Sequence, residues 1–354
     1  MIDRYFYFIT TIYNMDNVYE VDLRINWIRH GYSCANLLYD TGNAGGLSYF
    51  KNLIKGKIGD NRGTLAPDAR LTNKAMANIC EYKNVPGSES YFDILKSDYY
   101  FCSELTRAAE TAMLLFRNIK KKPVYVVPYI CEKRTESVVG DSDNVPSTVK
   151  ILEENIRKLR EEYAQDYLKD CNNLDLPDVV TSVIREFRGG RGKPTLPSFD
   201  DFLSNFMAYH IEELFIDNLK KIKISLSIVS HGHFIKEVTG IKDIRNLDII
   251  LQQIHLKYTK NDRNEFTILP QNNKLFMPVP IGTDLNMGPD DLKKCTEYNS
   301  DKSACRYNVT KYGNITINPV DANLDAQRCG QKVINVVTGQ GQTGGTTIYR
   351  FKNL

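Results

Sequence analysis

The sequence predicts an α/β protein: a three-layer α/β/α sandwich around a mostly parallel sheet, with an irregular extension at its C-terminal end. Two observations carry that prediction. Apolar runs of strand length recur at 23–28 (LRINWI), 99–102 (YYFC), 124–130 (VYVVPYI) and 224–229 (ISLSIV), and stretches with helical periodicity separate them. Strands that alternate with helices are joined by crossovers, and crossovers lay helices on the two faces of a parallel sheet.

In chain order, the apolar stretch at 4–13 (RYFYFITTIY) is short, rich in tyrosine and threonine, and lacks a small-residue cleavage site. It reads as an extra strand or an arm and not as a signal peptide. A short helix is expected over 33–39 with Ser33 as its N-cap, and another over 72–82. Over 104–116, Leu105, Ala108, Ala109, Ala112 and Leu115 share one face, the period of a helix packed on a core. Further helices are expected over 148–170 and 199–219. Between them, 172–198 turns to Pro, Gly and Arg and reads as a long surface insertion. From 283 onward Asn, Gly, Thr and Asp dominate, and GQGQTGGTT (339–347) approaches low complexity.

A chain of 354 residues, 42% hydrophobic and 25% charged, has the balance of a globular protein with one sizeable core. No stretch has the apolar length of a membrane span. A formal charge of +3 is too mild to imply a nucleic-acid partner, so functional positive charge must be local. The eight cysteines are scattered without CxxC pairs, which argues against a zinc site and a small disulfide framework. A reducing, intracellular, cytoplasmic setting is therefore expected. The wealth of Asn, Lys, Ile and Tyr suggests an AT-rich genome, such as that of a protist or a large DNA virus. Nothing in the sequence bears on oligomeric state.

The segment WIRHGYSCAN (27–36) places Arg29, His30 and Gly31 at the carboxyl end of the first strong strand, where open parallel sheets gather their ligands. The second strand runs into CSELTRAAET, which puts Arg107 in the first turn of the next helix, and the last ends in SHGH, which delivers His231 to the same edge. Two arginines and two histidines from three strand ends describe a phosphoryl pocket: guanidinium forks match phosphate oxygens, and imidazole can attack phosphorus. His233 reads as a loop or packing residue, RGGRGK (188–193) as a solvated loop, and Ser33, Cys34 and Ser103 as caps and packing residues.

Four ordered motifs, RHGYSCAN (29–36), DARLTNKA (68–75), SELTRAAETA (103–112) and IVSHGH (228–233), together resemble the histidine phosphatase superfamily in its phosphoglycerate mutase-like branch. The glycine after His231 resembles that branch, whereas acid phosphatases usually carry Asp there. The resemblance implies a phosphoglycerate mutase-like fold, a phosphorylated substrate, and neither metal nor cofactor. It further implies that His30 is the nucleophile that becomes phosphohistidine, and that Arg29, Arg107 and His231 hold the phosphoryl group. Glu132 would protonate the leaving oxygen, with Glu136 as the alternative. Tyr32 departs from the glutamate that the mutases carry after Arg-His-Gly. The expected organisation is a catalytic domain over 1–282, with a substrate-selecting cap at about 140–220, and an extension over 283–354. The expected activity is metal-independent hydrolysis of phosphomonoesters, the alternatives being a mutase-type phosphotransferase (isomerase) or a non-catalytic module that binds phosphorylated ligands.

Overall fold

A long central strand, β1 (Val18–Arg29), organises the sheet. The structure, a computed structural model, describes residues 18–37, 67–81, 96–117, 119, 122–132, 144–163, 176–182, 199–200, 202–203, 221–241, 244, 246–260, 266–268, 274–277 and 328–329. After β1 come α1 (Asn73–Glu81), β2 (Tyr99–Ser103), α2 (Thr106–Leu115), β3 (Val124–Val127), α3 (Val149–Tyr163), β4 (Val179–Val180), β5 (Lys221–Ser230), α4 (Gly232–Thr239), β6 (Ile249–Lys260), β7 (Phe266–Ile268) and β8 (Lys274–Met277). The sheet runs β4-β3-β2-β5-β1-β6-β7, with β8 also paired to β6.

Strands β4, β3, β2, β5 and β1 are mutually parallel, as the alternation of strand and helix requires. β5 returns late in the chain to lie between β2 and β1. The carboxyl ends of these three strands are thereby brought side by side, and His30 and His231 follow directly on β1 and β5.

Alternation along the strands assigns the two faces of the core. Val21, Leu23, Ile25 and Trp27 of β1 pack with Ile224, Leu226 and Ile228 of β5 against Phe234 and Ile235 of α4 and against Phe199, Phe202 and Leu203. Ile28 and Val229 face the other way, onto α1, α2 and α3. Helices thus cover the two sides of the sheet, which is the predicted three-layer sandwich. All ten residues of α2 are buried, because it lies between the sheet and the helices α1 and α3. Within the span read as a cap, α3 and β4 pack on this sandwich.

Three features escaped the reading of the chain. β1 extends before the apolar run because Glu20 and Asp22 are matched by Lys221 of β5, and Glu20 also by Lys257 of β6. Exposed pairs of this kind each contribute about 0.2–1 kcal/mol, and a hydrophobic pattern does not register them. β3 stops at Val127 because Pro128 has no N–H for the ladder, and a single 3-10 turn, Pro128–Ile130, follows. The antiparallel strand β6 was not anticipated, although Ile250, Ile254 and Leu256 recur on its buried face, where Gln252 Oε1 accepts the Trp27 indole N–H at 2.6 Å.

The cysteines correct an expectation. Cys34 and Cys329 form a disulfide across 295 residues of sequence, and Cys80 is also disulfide-bonded. Cys102 and Cys131 are free and buried. Local spacing cannot reveal a bond between such distant positions, and with it the cysteine usage no longer points to a reducing compartment. The described residues of the extension, Arg328 and Cys329, lie against the core that packs α1 and α2. Among the described residues no helix is long and apolar enough to cross a membrane. The arm at 4–13, the loop at 188–193, Glu136 and the stretch 339–347 lie outside the described residues.

Candidate active site

His30 is 3% exposed at the end of β1, and its backbone is anchored twice. Its N–H donates to Ser230 O at 3.0 Å, and its carbonyl accepts from Asn246 Nδ2 at 2.8 Å. Its Nδ1 lies 2.7 Å from Gly31 O. A carbonyl can only accept, so Nδ1 carries the proton and Nε2 carries the lone pair. Arg107 Nε donates to that Nε2 at 3.2 Å. Burial, then the neighbouring guanidinium groups of Arg107 and Arg29, hold the imidazole well below its ordinary pKa. His30 is therefore a neutral imidazole with its lone-pair nitrogen turned toward an arginine.

Gly31 sits at a close approach of side chains. A Cβ there would come within 3.3 Å of Ile79 Cδ1 and of Leu71 Cδ2, in a core with no slack. Its N–H donates to Thr111 Oγ1 at 2.9 Å, and the same hydroxyl donates to Arg107 O at 2.7 Å. One side chain of α2 thus ties the His30–Gly31 loop to the turn that presents Arg107.

That turn is capped from a distance. Leu105, at the N-cap, offers no side-chain acceptor. Asp68 supplies it: Oδ1 accepts from Thr106 N at 2.7 Å, and Oδ2 from Thr106 Oγ1 at 2.9 Å and Ser147 N at 3.0 Å. Asp68 has φ of 45°, a conformation uncommon outside glycine that these three bonds hold in place. The carboxylate also complements the positive end of the helix. Arg107 is further steadied by Asn144 Oδ1, 2.5 Å from one terminal nitrogen.

His231 is fully buried, and its ring centroid lies 5.1 Å from that of His30. Its Nε2 lies 2.8 Å from Ser103 Oγ, at the end of β2. Nδ1 has no hydrogen-bond partner among the described residues. Burial, followed by Arg107, His30 and Arg29, holds this imidazole neutral as well. Gly232 after it leaves room for Arg29, whose Nε would stand 3.2 Å from a Cβ at that position. Arg29 is held from the other side by Ile244 O.

Glu132 lies two residues beyond the 3-10 turn, its side chain 12% exposed. Burial pushes its carboxyl above the ordinary carboxylate value, opposed in turn by His233, Arg107, Arg29 and the His233 backbone N–H. His233, 75% exposed, brings Nδ1 to 3.5 Å from Glu132 Oε1. A carboxyl group whose hold on its proton is strengthened in this way can donate to a leaving group.

The five residues singled out from the sequence, Arg29, His30, Arg107, Glu132 and His231, are thus gathered at one sheet edge. Ser33 caps its helical turn, with Oγ accepting from Asn36 N at 3.3 Å. Ser103, read as packing, instead contacts His231. Asn144 was missed, because a lone asparagine in a polar stretch offers no pattern by which to find it. Asp68 and Thr111 fall inside quoted motifs, but their positioning roles depend on contacts that only folding makes.

Comparison with known proteins adds a partial context. No family model matches the chain. An uncharacterised protein of Acanthamoeba polyphaga mimivirus is 24% identical over 190 residues, which is 48% of this chain but only 35% of that protein. Among solved structures, an Escherichia coli protein assigned as an alpha-ribazole-5'-P phosphatase shares 18% identity at a TM-score of 0.29, covering 71% of this chain and 96% of its own. YhfR of Bacillus stearothermophilus shares 11% at 0.28, covering 70% and 96%, and a phosphoglycerate mutase of Bacillus anthracis shares 12% at 0.29, covering 72% and 94%. What the site can do therefore rests on the geometry of the pocket itself.

Proposed function

We propose that this chain is a phosphomonoesterase that works through a phosphohistidine on His30. The observation that carries the reading is the buried, neutral His30, whose Nε2 lone pair meets Arg107 Nε at 3.2 Å. A phosphoryl group entering between them would take over the guanidinium N–H groups of Arg107 and Arg29 for its oxygens, and Nε2 would be released for attack on phosphorus. His231 would hold a third oxygen through its ring N–H.

As the N–P bond forms, the bond from phosphorus to the alcohol breaks, its electron pair goes to oxygen, and Glu132 gives that oxygen its proton. Water then attacks the phosphohistidine, its proton returns to Glu132, and the N–P electron pair returns to His30. Preorganised cations around the equatorial oxygens lower both barriers without a reorganisation step. Tyr32, 8% exposed, stands where the resemblance places a glutamate in the mutases, and this departure favours transfer to water over return to a bound intermediate.

The test is a panel of phosphomonoesters that includes phosphoglycerates, sugar phosphates, nucleotides, phosphopeptides and p-nitrophenyl phosphate, with His30→Ala as the blank. Inorganic phosphate release and an acid-labile phosphate on His30 are expected. Efficient interconversion of 2- and 3-phosphoglycerate with negligible free phosphate, measured with 2,3-bisphosphoglycerate as primer, would replace this reading by the mutase. Tight phosphate binding without turnover of any ester would replace it by a binding module.

A further inference from the structure

Two residues from near the end of the chain are built into the wall behind His30. Cys329 is bonded to Cys34, in the helical turn that follows His30 and Gly31. Arg328, 6% exposed, donates Nε to Leu71 O at 2.8 Å. Its terminal nitrogens reach Glu110 Oε1 at 2.6 Å and Glu162 Oε2. Arg70 pairs with the same two carboxylates, Glu110 at 2.7 Å and Glu162 at 3.0 Å.

These groups converge on the segment that supports the nucleophile. Leu71 N donates to Glu110 Oε2 at 2.7 Å, and Leu71 forms a bridge with Ser33. Cys34 N donates to Arg70 O at 2.9 Å. The Leu71 side chain is one of the two that set the closest approach to Gly31. Each side of the Ser33–Leu71 bridge is therefore gripped by the distant dipeptide, the 33–37 side through a covalent bond and the 70–71 side through Arg328. Glu110 belongs to α2, so the grip also reaches the helix that carries Arg107 and Thr111.

We propose that residues 328 and 329 are a clasp that positions the His30 loop, and that a dithiol reductant opens it. In that step the reductant's two thiols are oxidised to a disulfide, and the Cys34–Cys329 bond gains two electrons and two protons to leave two thiols. Arg328 is then held only by its hydrogen bonds and ion pairs. Its departure leaves Glu110 and Glu162 to Arg70 alone and frees Leu71 O, so the surface beneath Gly31 can shift. Arg328 acts through Leu71 and Glu110 and is a positioning residue. The catalytic consequence rests on the phosphohistidine reading; the positional claim stands without it.

The experiment compares the oxidised full chain with the same preparation after dithiothreitol, and with Cys34→Ala/Cys329→Ala and Arg328→Lys. Two readouts are taken: kcat and KM for p-nitrophenyl phosphate, and the rate at which diethylpyrocarbonate modifies His30, mapped by mass spectrometry. The first needs phosphatase activity and the second does not. Opening the clasp should lower kcat by about tenfold or more, with a smaller change in KM, since misplacement of a reacting group by an ångström costs that much. It should also change His30 reactivity, and reoxidation should restore each value. The double variant should sit at the reduced level and no longer respond to dithiothreitol, which separates this bond from the one at Cys80. Arg328→Lys, which keeps the disulfide but cannot fork, should fall between the two states. Unchanged kcat and unchanged His30 reactivity, with Cys34 and Cys329 shown to be thiols, would overturn the clasp. No ester turnover in the oxidised chain, with His30 reactivity still dependent on the disulfide, would sink the functional reading and leave the clasp.

Discussion

Arg107 Nε points into the lone pair of His30 Nε2, at 3.2 Å, so the arginine proposed to bind substrate also covers the nitrogen proposed to attack it. The two roles are compatible because phosphate oxygens are better acceptors for a guanidinium than a neutral imidazole is. Replacing Arg107 by Ala should lower kcat/KM by about two decades or more, and Lys should recover little of it, because a point charge cannot reproduce the fork. Steady-state kinetics on a single phosphomonoester settles it. Near-wild-type rates in the Ala variant would mean that Arg107 is structural.

On the proposed mechanism, the pH dependence of kcat/KM follows from two shifted groups. His30 must be neutral to attack, and its pKa is held well below 6.5, so the acid limb that it contributes lies well below that value. Glu132 must be protonated to act as the acid, and its carboxyl is raised above 4.5, so activity is present below the folded value and lost as pH rises through it. Glu132→Gln should abolish the alkaline limb and slow alkyl phosphates far more than p-nitrophenyl phosphate, whose leaving group needs little protonation. A retained alkaline limb would move the acid role to another residue. The charged groups facing Glu132 are His233, Arg107 and Arg29. Of these His233→Gln can be tested without touching the phosphoryl site, and it should move the limb upward.

Stability should fall toward acid for a reason separate from catalysis. Glu110 is fully buried; burial opposes its charge, but Arg328, Arg70 and the Leu71 N–H outweigh it and hold the carboxyl below 4.5. Its depressed value contributes stability that is present above 4.5 and lost as pH falls through the folded value. His30 and His231 add in the same direction, since the unfolded chain takes up protons below 6.5 that the folded pocket refuses. Unfolding followed by the emission of Trp27, the single tryptophan, should show a midpoint that declines steadily below neutrality. A flat profile down to the carboxylate range would contradict the buried ion network.

Arg328→Met should destabilise the chain by about 3–5 kcal/mol, because it leaves the fully buried Glu110 to share Arg70 with the partly exposed Glu162. Pairing Arg328→Met with Glu110→Gln should recover part of the loss. A single variant within about 0.5 kcal/mol of wild type in denaturant melts would show that the network is not sealed.

Chelation should leave activity intact, since Arg29 and Arg107 already supply the positive charge that a phosphoryl transfer needs. Loss in EDTA with recovery on magnesium or zinc would require a different account of the pocket.

Much of this was legible in the sequence, and the reason is local. The strand ends at Arg29 and Ser230, and the helix at 104–116, are encoded by apolar periodicity, and His30, Arg107 and His231 sit beside those boundaries, so locating the elements locates the residues. What stayed hidden is what joins segments remote in sequence. The Asp68 cap on Thr106, the Thr111 link to Gly31, the Asn144 contact with Arg107 and the pairing of Cys34 with Cys329 each span tens to hundreds of residues. The antiparallel β6 was hidden for another reason: Gln252, buried against Trp27, interrupts the apolar alternation that marks a half-buried strand.

The Cys34–Cys329 bond also sets an order of events at the ribosome. Cys34 emerges with the first strand of the sheet, and its partner follows 295 residues later, when β1 through β8 have already left the exit tunnel. Throughout that interval the residue just behind the His30 loop is a thiol with other cysteines of the nascent chain within reach, and Cys80 is the first to appear. Maturation of the pocket is therefore a late oxidative step imposed on a sheet that is already complete. A chain released before residue 329 could build that sheet but could never close this bond.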